Sequence, residues 1–407
     1  MDKYRDVGAA VAASLPSLPL YIHRPQNVAM AAKWFKTNFK GNVLYAVKTN
    51  PHPAVVKQLW DSGIKHFDVA SIPEIELVKS VAPDAKLYFM HPVKPREAIA
   101  DAYFKHGVKT FSLDSYVELE KILAATNYAK NLRLMIRIAV NSQYAEISLN
   151  NKFGIACDEA AELLKHVRKF SKKLGICFHV GSQSMHPDAF SEAIEKAGRI
   201  IEESGVKVDI IDVGGGFPSV YPGMNPPDLG RYMQTIHRSF MKLDLGGNVK
   251  LWCEPGRALV AESGSLVVRV DLRKDNALYI NDGTYGGLFD AGQPQFIFPT
   301  KMIRSKKGLG NESTAEYSPF IFYGPTCDSI DMMKGPFMLP SDIQEGDYIE
   351  IGQMGAYSLS MRSDFNGFGK YVEAESEDSP IMSIFNRNQQ PAKRQTQKVA
   401  VRKIGKK

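Results

Sequence analysis

Apolar residues over the first 254 positions of this 407-residue chain fall in short runs, separated by stretches with a slower rhythm. Eight runs read as strands: residues 42–49, 66–70, 86–90, 110–114, 133–140, 175–180, 208–213 and 250–254. The stretches between them repeat with the 3.6-residue helical period, as at 187–204, where Phe190, Ile194, Ala197 and Ile201 recur on one face. Eight strand–helix alternations predict a (β/α)8 TIM-type barrel, with an open doubly wound sheet as the rival arrangement. Beyond Pro255 the rhythm shortens to β-rich runs between Gly and Pro turns, at 265–270, 277–281, 295–298, 320–323 and 347–352. These predict a second, all-β domain. The expected division is a segment 1–23 joining the β domain, a barrel over 24–256, a β-rich C-terminal domain over 257–385, and a basic, disordered tail over 386–407.

Length and composition allow two full cores, with 44% hydrophobic residues as in an ordinary soluble enzyme. The net charge of +7 suggests an anionic partner until it is located. Seven Lys and Arg residues lie between Pro391 and Lys407 with no acid among them, and taking them from the 51 bases leaves 44 against 44 acids. The folded body is neutral, and the tail lacks the interleaved aromatics that stack on bases, so a nucleic-acid partner is not expected. The N-terminus is charged and no apolar run reaches the ~18 residues of a membrane span, so a cytoplasmic protein is expected. Cys157, Cys177, Cys253 and Cys327 show no C-x-x-C spacing, and no metal site is expected. Three of them read as small buried hydrophobes, whereas Cys327 lies in a loop-like Gly324-Pro325-Thr326-Cys327-Asp328.

The polar residues fall at the C-terminal ends of the predicted strands, the face where barrels of this kind carry their chemistry. Lys48 ends the first strand just before Pro51, and a lysine set among apolar neighbours there loses part of its preference for the charged form, as an amine that attacks an aldehyde must. Asp68 lies in the second strand, Arg137 in the fifth and His179 near the end of the sixth. Gly214, Gly215 and Gly216 follow the seventh, and Glu254 ends the eighth. The triple glycine can bring backbone N–H groups against a phosphate, and Arg257 in Glu254-Pro255-Gly256-Arg257 can add a charged fork. A glycine run alone is often a mere turn and a lone histidine more often a core residue; together they describe one aldehyde-phosphate pocket.

With these residues in view the sequence resembles the fold-type III pyridoxal-phosphate decarboxylases, nearest the ornithine (ornithine/lysine) decarboxylase branch. Its carriers are Ala46-Val47-Lys48-Thr49-Asn50, Phe67-Asp68-Val69-Ala70-Ser71, His179-Val180-Gly181-Ser182-Gln183, Asp212-Val213-Gly214-Gly215-Gly216, Glu254-Pro255-Gly256-Arg257, Gly324-Pro325-Thr326-Cys327-Asp328 and Gly355-Ala356-Tyr357. The resemblance implies a barrel followed by an all-β domain, pyridoxal 5'-phosphate as cofactor, and a homodimer with shared active sites. It implies that Lys48 holds the cofactor covalently, that Glu254 pairs with the pyridine nitrogen, and that His179 stacks on the ring. Ser182, Gly214, Gly215, Gly216, Gly256, Arg257 and Tyr357 would hold the phosphate side, with Asp68 and Arg137 supporting Lys48. Cys327 would return a proton to the substrate from the partner's β domain, and Asp328 and Asp290 would bind the distal ammonium of a diamino acid. The stretch before Phe289-Asp290 is shorter than in the eukaryotic pattern, and the basic tail resembles nothing in the family.

Three functions stay open. L-ornithine decarboxylation to putrescine, with L-lysine as a further substrate, fits the whole set. Diaminopimelate decarboxylation is favoured by His179 to Gln183 but opposed by the aspartate after Cys327, where that branch usually carries a glutamate. A non-catalytic homologue regulating polyamine enzymes is opposed by the presence of Lys48, Glu254 and Cys327.

Overall fold

A computed structural model describes residues 1–141, 143–148, 152–304 and 313–385. Eight parallel strands close into a barrel in chain order: Asn42–Ala46, His66–Val69, Lys86–Phe89, Thr110–Leu113, Arg133–Arg137, Lys173–Cys177, Ile210–Asp212 and Lys250–Cys253. Closure comes from the last strand pairing with the first, Cys253 opposite Val43. The alternation predicted from the sequence is thus a barrel and not an open sheet.

The strand pleat sorts side chains between two cores. Leu44, Tyr88, Met135, Cys177, Ile210 and Trp252 fill the lumen. Their neighbours Val43, Tyr45, Phe67, Phe89, Leu134 and Ile176 face outward into the helical layer. Counting by two from the lumen residues puts Arg137, Asp212 and Glu254 on the inward face, and the register sets Asp68 beside Ala46 and Asp212 beside Cys177. Four acidic or basic groups therefore converge on one end of a lumen that is otherwise apolar.

The second sheet has nine strands. Gly264–Lys274 is its spine and pairs with Leu20–His23, Ala277–Ile280 and Tyr348–Ile351. Val372–Ser376 then lies parallel to Leu20–His23, and Asp2–Tyr4 lies parallel to Val372–Ser376. Two expectations need correction. Residues 295–298 form no strand, and the neighbouring strand is Thr300–Ile303; Phe296 and Phe298 are instead packed in the β-domain core against Tyr221. The strand Met332–Pro340 was missed because Gly335 and Pro336 interrupt it, which is tolerated since it pairs on one side only, with Tyr317–Tyr323. The 386–407 tail lies outside the described residues. Among the described residues no helix is long and apolar enough to cross a membrane.

Arg24 ties the chain's start to this sheet. Its side chain is fully enclosed and donates to Glu350 at 2.8 Å, Asp378 at 2.9 Å and Ser265 at 2.6 Å. Removing one partner of such a group strands the others' buried charge. Arg24→Ala is expected to cost about 3–5 kcal/mol of stability, read as a lower urea midpoint at unchanged slope. A loss below ~1 kcal/mol, the range of surface pairs, would contradict this.

Candidate active site

Lys48 does not end the first strand as expected. That strand stops at Ala46, and Lys48 stands in a single 3-10 turn, Val47–Thr49. The turn is held from the β domain: Tyr357 N–H donates to Thr49 O at 2.9 Å, and Asn50 Nδ2 donates to Gly355 O at 2.9 Å. Tyr357 takes a left-handed backbone, φ 54°, a conformation costly for a bulky residue and consistent with a functional position.

The amine of Lys48 lies 3.3 Å from Asp68 Oδ2. Asp68 lifts the lysine above its ordinary pKa and overrides burial, which acts the other way. The expectation of an ammonium weakened by apolar surroundings is therefore wrong in sign: proximity to a carboxylate at low dielectric outweighs desolvation. The side chain is still 46% accessible, because it projects into the open mouth of the barrel, where the surrounding groups wall it without covering it.

Beside Lys48, on the ends of the two preceding barrel strands, stand two acids, Glu254 and Asp212. Burial, reinforced by Asp212 and Asp68, pushes the Glu254 carboxyl well above the usual range, and burial pushes Asp212 up to about 7. Glu254 Oε1 and Asp212 Oδ2 are both buried without a hydrogen-bond partner. Two buried carboxyls in contact, each with an unpartnered oxygen, favour keeping a proton between them. His179 is a neutral imidazole, its pKa driven far down by burial and then by Arg137 and Lys48. Its Nδ1 accepts from Gly181 N–H at 3.1 Å, which leaves the proton on Nε2.

The phosphate-side residues gather as one group. Gly216 has φ 97°, a left-handed conformation that favours glycine, and a Cβ on Gly215 would lie 2.9 Å from His179 Nε2. Arg257 is buried, donating to Tyr221 Oη at 2.9 Å and Asp290 Oδ2 at 2.9 Å, and at 3.4 Å to Ser182 Oγ; its Nε has no partner. Its guanidinium centre lies 4.9 Å from the Tyr357 ring centroid. Gly256 packs against Thr49 with no room for a side chain. Asp290 therefore belongs to this group, bonded to Arg257 and 5% exposed.

Cys327 and Asp328 are elsewhere. Cys327 is exposed, its N–H donating to Asn366 at 3.2 Å, and Asp328 accepts from Tyr285 Oη at 2.5 Å. That hydrogen bond holds the Asp328 carboxyl below its ordinary pKa. Every hydrogen bond these two residues make among the described residues is to the β domain.

Asp212 and Glu74 were given no role from sequence. Asp212 heads the glycine run at an inward pleat position, a readable signal. Glu74 accepts from Ala70 N–H at 2.7 Å and is raised to about 7 by burial, with Asp68 adding to the rise. Its only sequence mark is the Ser71-x-x-Glu74 spacing of a capping box.

A pyridoxal phosphate fits these groups. A buried carboxyl with an unpartnered oxygen and a raised pKa would suit a pyridine nitrogen, an amine stands on the neighbouring strand's loop, and an arginine with a free Nε stands beside a glycine cradle.

Residues 26–261 match the family model for the pyridoxal-dependent decarboxylase, pyridoxal binding domain. The lysine/ornithine decarboxylase of Selenomonas ruminantium is 33% identical over 84% of this chain and 85% of its own. The diaminopimelate decarboxylase of Helicobacter pylori is 30% identical over 91% of this chain and 93% of its own. Among solved structures, the arginine decarboxylase of Paramecium bursaria Chlorella virus bound to agmatine superposes with TM-score 0.80 at 27% identity, covering 91% of this chain and all of the other. With a closed barrel, a following β sheet and a pyridoxal-phosphate site at the barrel mouth, the chain belongs to the fold-type III pyridoxal-dependent decarboxylases.

Proposed function

We propose that this chain decarboxylates a diamino acid, L-ornithine to putrescine with L-lysine to cadaverine as a second reaction, in a homodimer whose two sites are each built from both subunits. The observation that carries the reading is the exposed Cys327–Asp328 pair. A thiol and a carboxylate kept anionic by Tyr285 stand on the β domain with no barrel group to serve, which suits a contribution to another subunit's barrel mouth.

In this reading Lys48 holds the cofactor, Arg257, Ser182, Gly214, Gly215 and Gly216 take its phosphate, and His179 lies against its ring. The bound ring supplies an electron sink for the pair left when carbon dioxide departs from the α-carbon. Glu254 would pair with the pyridine nitrogen, with Asp212 acting on Glu254. Arg137 and Asp68 fix the charge around Lys48. Fixing the phosphate orients the α-carbon, and orientation selects the bond that breaks. Cys327 of the second subunit delivers a proton to that carbon, and Asp328 meets the distal ammonium. Asp290 acts through Arg257, holding its fork on the phosphate side, a positioning role in place of direct substrate contact.

Gln183 weakens the diaminopimelate reading. Its amide is buried, donating to Ser219 O at 2.6 Å and accepting from Ser219 N–H at 3.0 Å, so it braces a loop and is not free for a second amino-acid centre. The purified enzyme, given ornithine, lysine, arginine and diaminopimelate separately, is expected to yield putrescine and cadaverine by mass. Ornithine and lysine differ by one methylene, which a pocket separates by ~1–3 kcal/mol, so both products are expected. Agmatine as the main amine, or lysine from diaminopimelate, would overturn the assignment.

A further inference from the structure

Three side chains far apart in sequence converge outside the active site. His23 closes the strand Leu20–His23, Glu373 lies on the adjacent strand Val372–Ser376, and His52 leads into the helix Pro53–Asp61, four residues beyond Lys48. Glu373 Oε1 is 3.0 Å from His23 Nε2 and 3.2 Å from His52 Nε2, and one ligand atom from each of the three lies within 4.8 Å of the others. The two imidazole rings are 4.7 Å apart, centroid to centroid.

We propose that His23, His52 and Glu373 form a binding site for a divalent transition metal of the zinc class, clasping the lysine-bearing loop to the β sheet. The two distances to Glu373 suit a coordination shell as well as an ion pair. Metal–ligand bonds of ~2.0–2.1 Å at tetrahedral angles put neighbouring donor atoms about 3.3 Å apart, close to both measured separations. Two imidazole nitrogens and one carboxylate oxygen are a donor set suited to zinc, copper or nickel and ill suited to calcium or magnesium. His23 is buried, while the side chains of His52 and Glu373 are 20% and 26% accessible, so the cluster reaches solvent. Glu375, whose charge also reaches His23, adds to the negative field there.

Binding exchanges existing contacts, and the His23 and His52 Nε2 contacts with Glu373 give way to metal bonds. His52 Nδ1 accepts from Ala54 N–H at 3.3 Å, and a ligating Nε2 would place the ring's proton on Nδ1. That bond is long and exposed, a small loss against three metal bonds. Binding would fix three separate segments at once: the N-terminal strand, the C-terminal strand and the loop after Lys48, whose Asn50 Oδ1 already accepts from His52 N–H at 3.1 Å. The site departs from the expectation of no metal, since neither the histidines nor the glutamate have motif spacing.

The test uses the full-length holoenzyme, freed of metal by a chelator and titrated with zinc chloride by calorimetry. One zinc per chain is expected, with an X-ray absorption spectrum showing two imidazole ligands, and an unfolding temperature raised by the metal. His52→Gln and Glu373→Gln, both at accessible positions, are each expected to weaken binding by at least about tenfold and to abolish the thermal shift. Cys327→Ser, removing an exposed thiol that could bind zinc adventitiously, is expected to bind as the wild type does. Absence of saturable binding, equal affinity in both variants, an absorption spectrum without imidazole, or loss of binding in Cys327→Ser would each overturn the site.

Discussion

Lys48→Ala is expected to abolish covalent attachment of the cofactor and to reduce kcat/KM for ornithine by about a thousandfold or more, the scale on which removing a covalent nucleophile acts. In the wild type, borohydride reduction followed by peptide mapping should place the pyridoxyl group on Lys48. The variant should lose the visible absorption of the lysine-bound cofactor. It should still fold, because the lost side chain projects into the mouth of the barrel and packs in neither core. Asp68 then loses its ammonium partner 3.3 Å away and is left beside Glu254 and Asp212, with Arg137 as the remaining cation. A modest loss of stability is therefore expected alongside the loss of chemistry, and circular dichroism separates the two. Mixing Lys48→Ala with Cys327→Ala subunits extends the experiment. If Cys327 serves the other subunit, half the dimers are mixed and one site in each is intact, so activity should recover toward about a quarter. No recovery after verified exchange would mean that each site is built from one chain, and a pyridoxyl label on another lysine would remove Lys48 from its role.

The barrel was legible because its information is local. Each strand is a short apolar run, each helix shows its own period, and inward and outward residues separate by parity, so Asp68, Arg137 and Glu254 could be set on one face before any contact was known. The β domain was less legible because its strands depend on partners. Met332–Pro340 survives a Gly-Pro interruption since only one of its sides is paired, and 295–298, with Phe296 and Phe298 alternating as in a strand, is drawn into the core around Tyr221 instead. The charge state of Lys48 was misjudged for a related reason. Its apolar neighbours are adjacent in sequence, whereas Asp68, which decides the sign, comes from the next strand and reaches it only when the barrel closes. For Asp290 the resemblance alone implied a substrate ligand, and only the fold shows it bonded to Arg257, 33 residues earlier. No spacing rule could join His23, His52 and Glu373, which three different segments bring together.

Asp328→Ala should act on substrate and leave the cofactor in place. In the proposed dimer its carboxylate meets the distal ammonium of ornithine or lysine, and Ala leaves that ammonium without a charged partner. A fall in kcat/KM of roughly 30-fold to several thousandfold is expected for both amino acids, the range for breaking one side of a desolvated charge pair. Cofactor content should stay at the wild-type level, since Arg257, Ser182 and Gly216 lie on the barrel and none of them touches Asp328. The acid side of the pH profile provides a second reading. Tyr285 holds the Asp328 carboxyl below its ordinary pKa, so Asp328 is anionic through the neutral range and protonates only when the pH falls below ordinary carboxylate values. Tyr285→Phe removes the bond that depresses it, so the pH at which activity fails on the acid side should move upward while activity at neutral pH changes little. If Asp328→Ala instead releases the cofactor, or turns over ornithine and lysine at the wild-type rate, the distal ammonium is recognised elsewhere and the diamino-acid assignment fails with it.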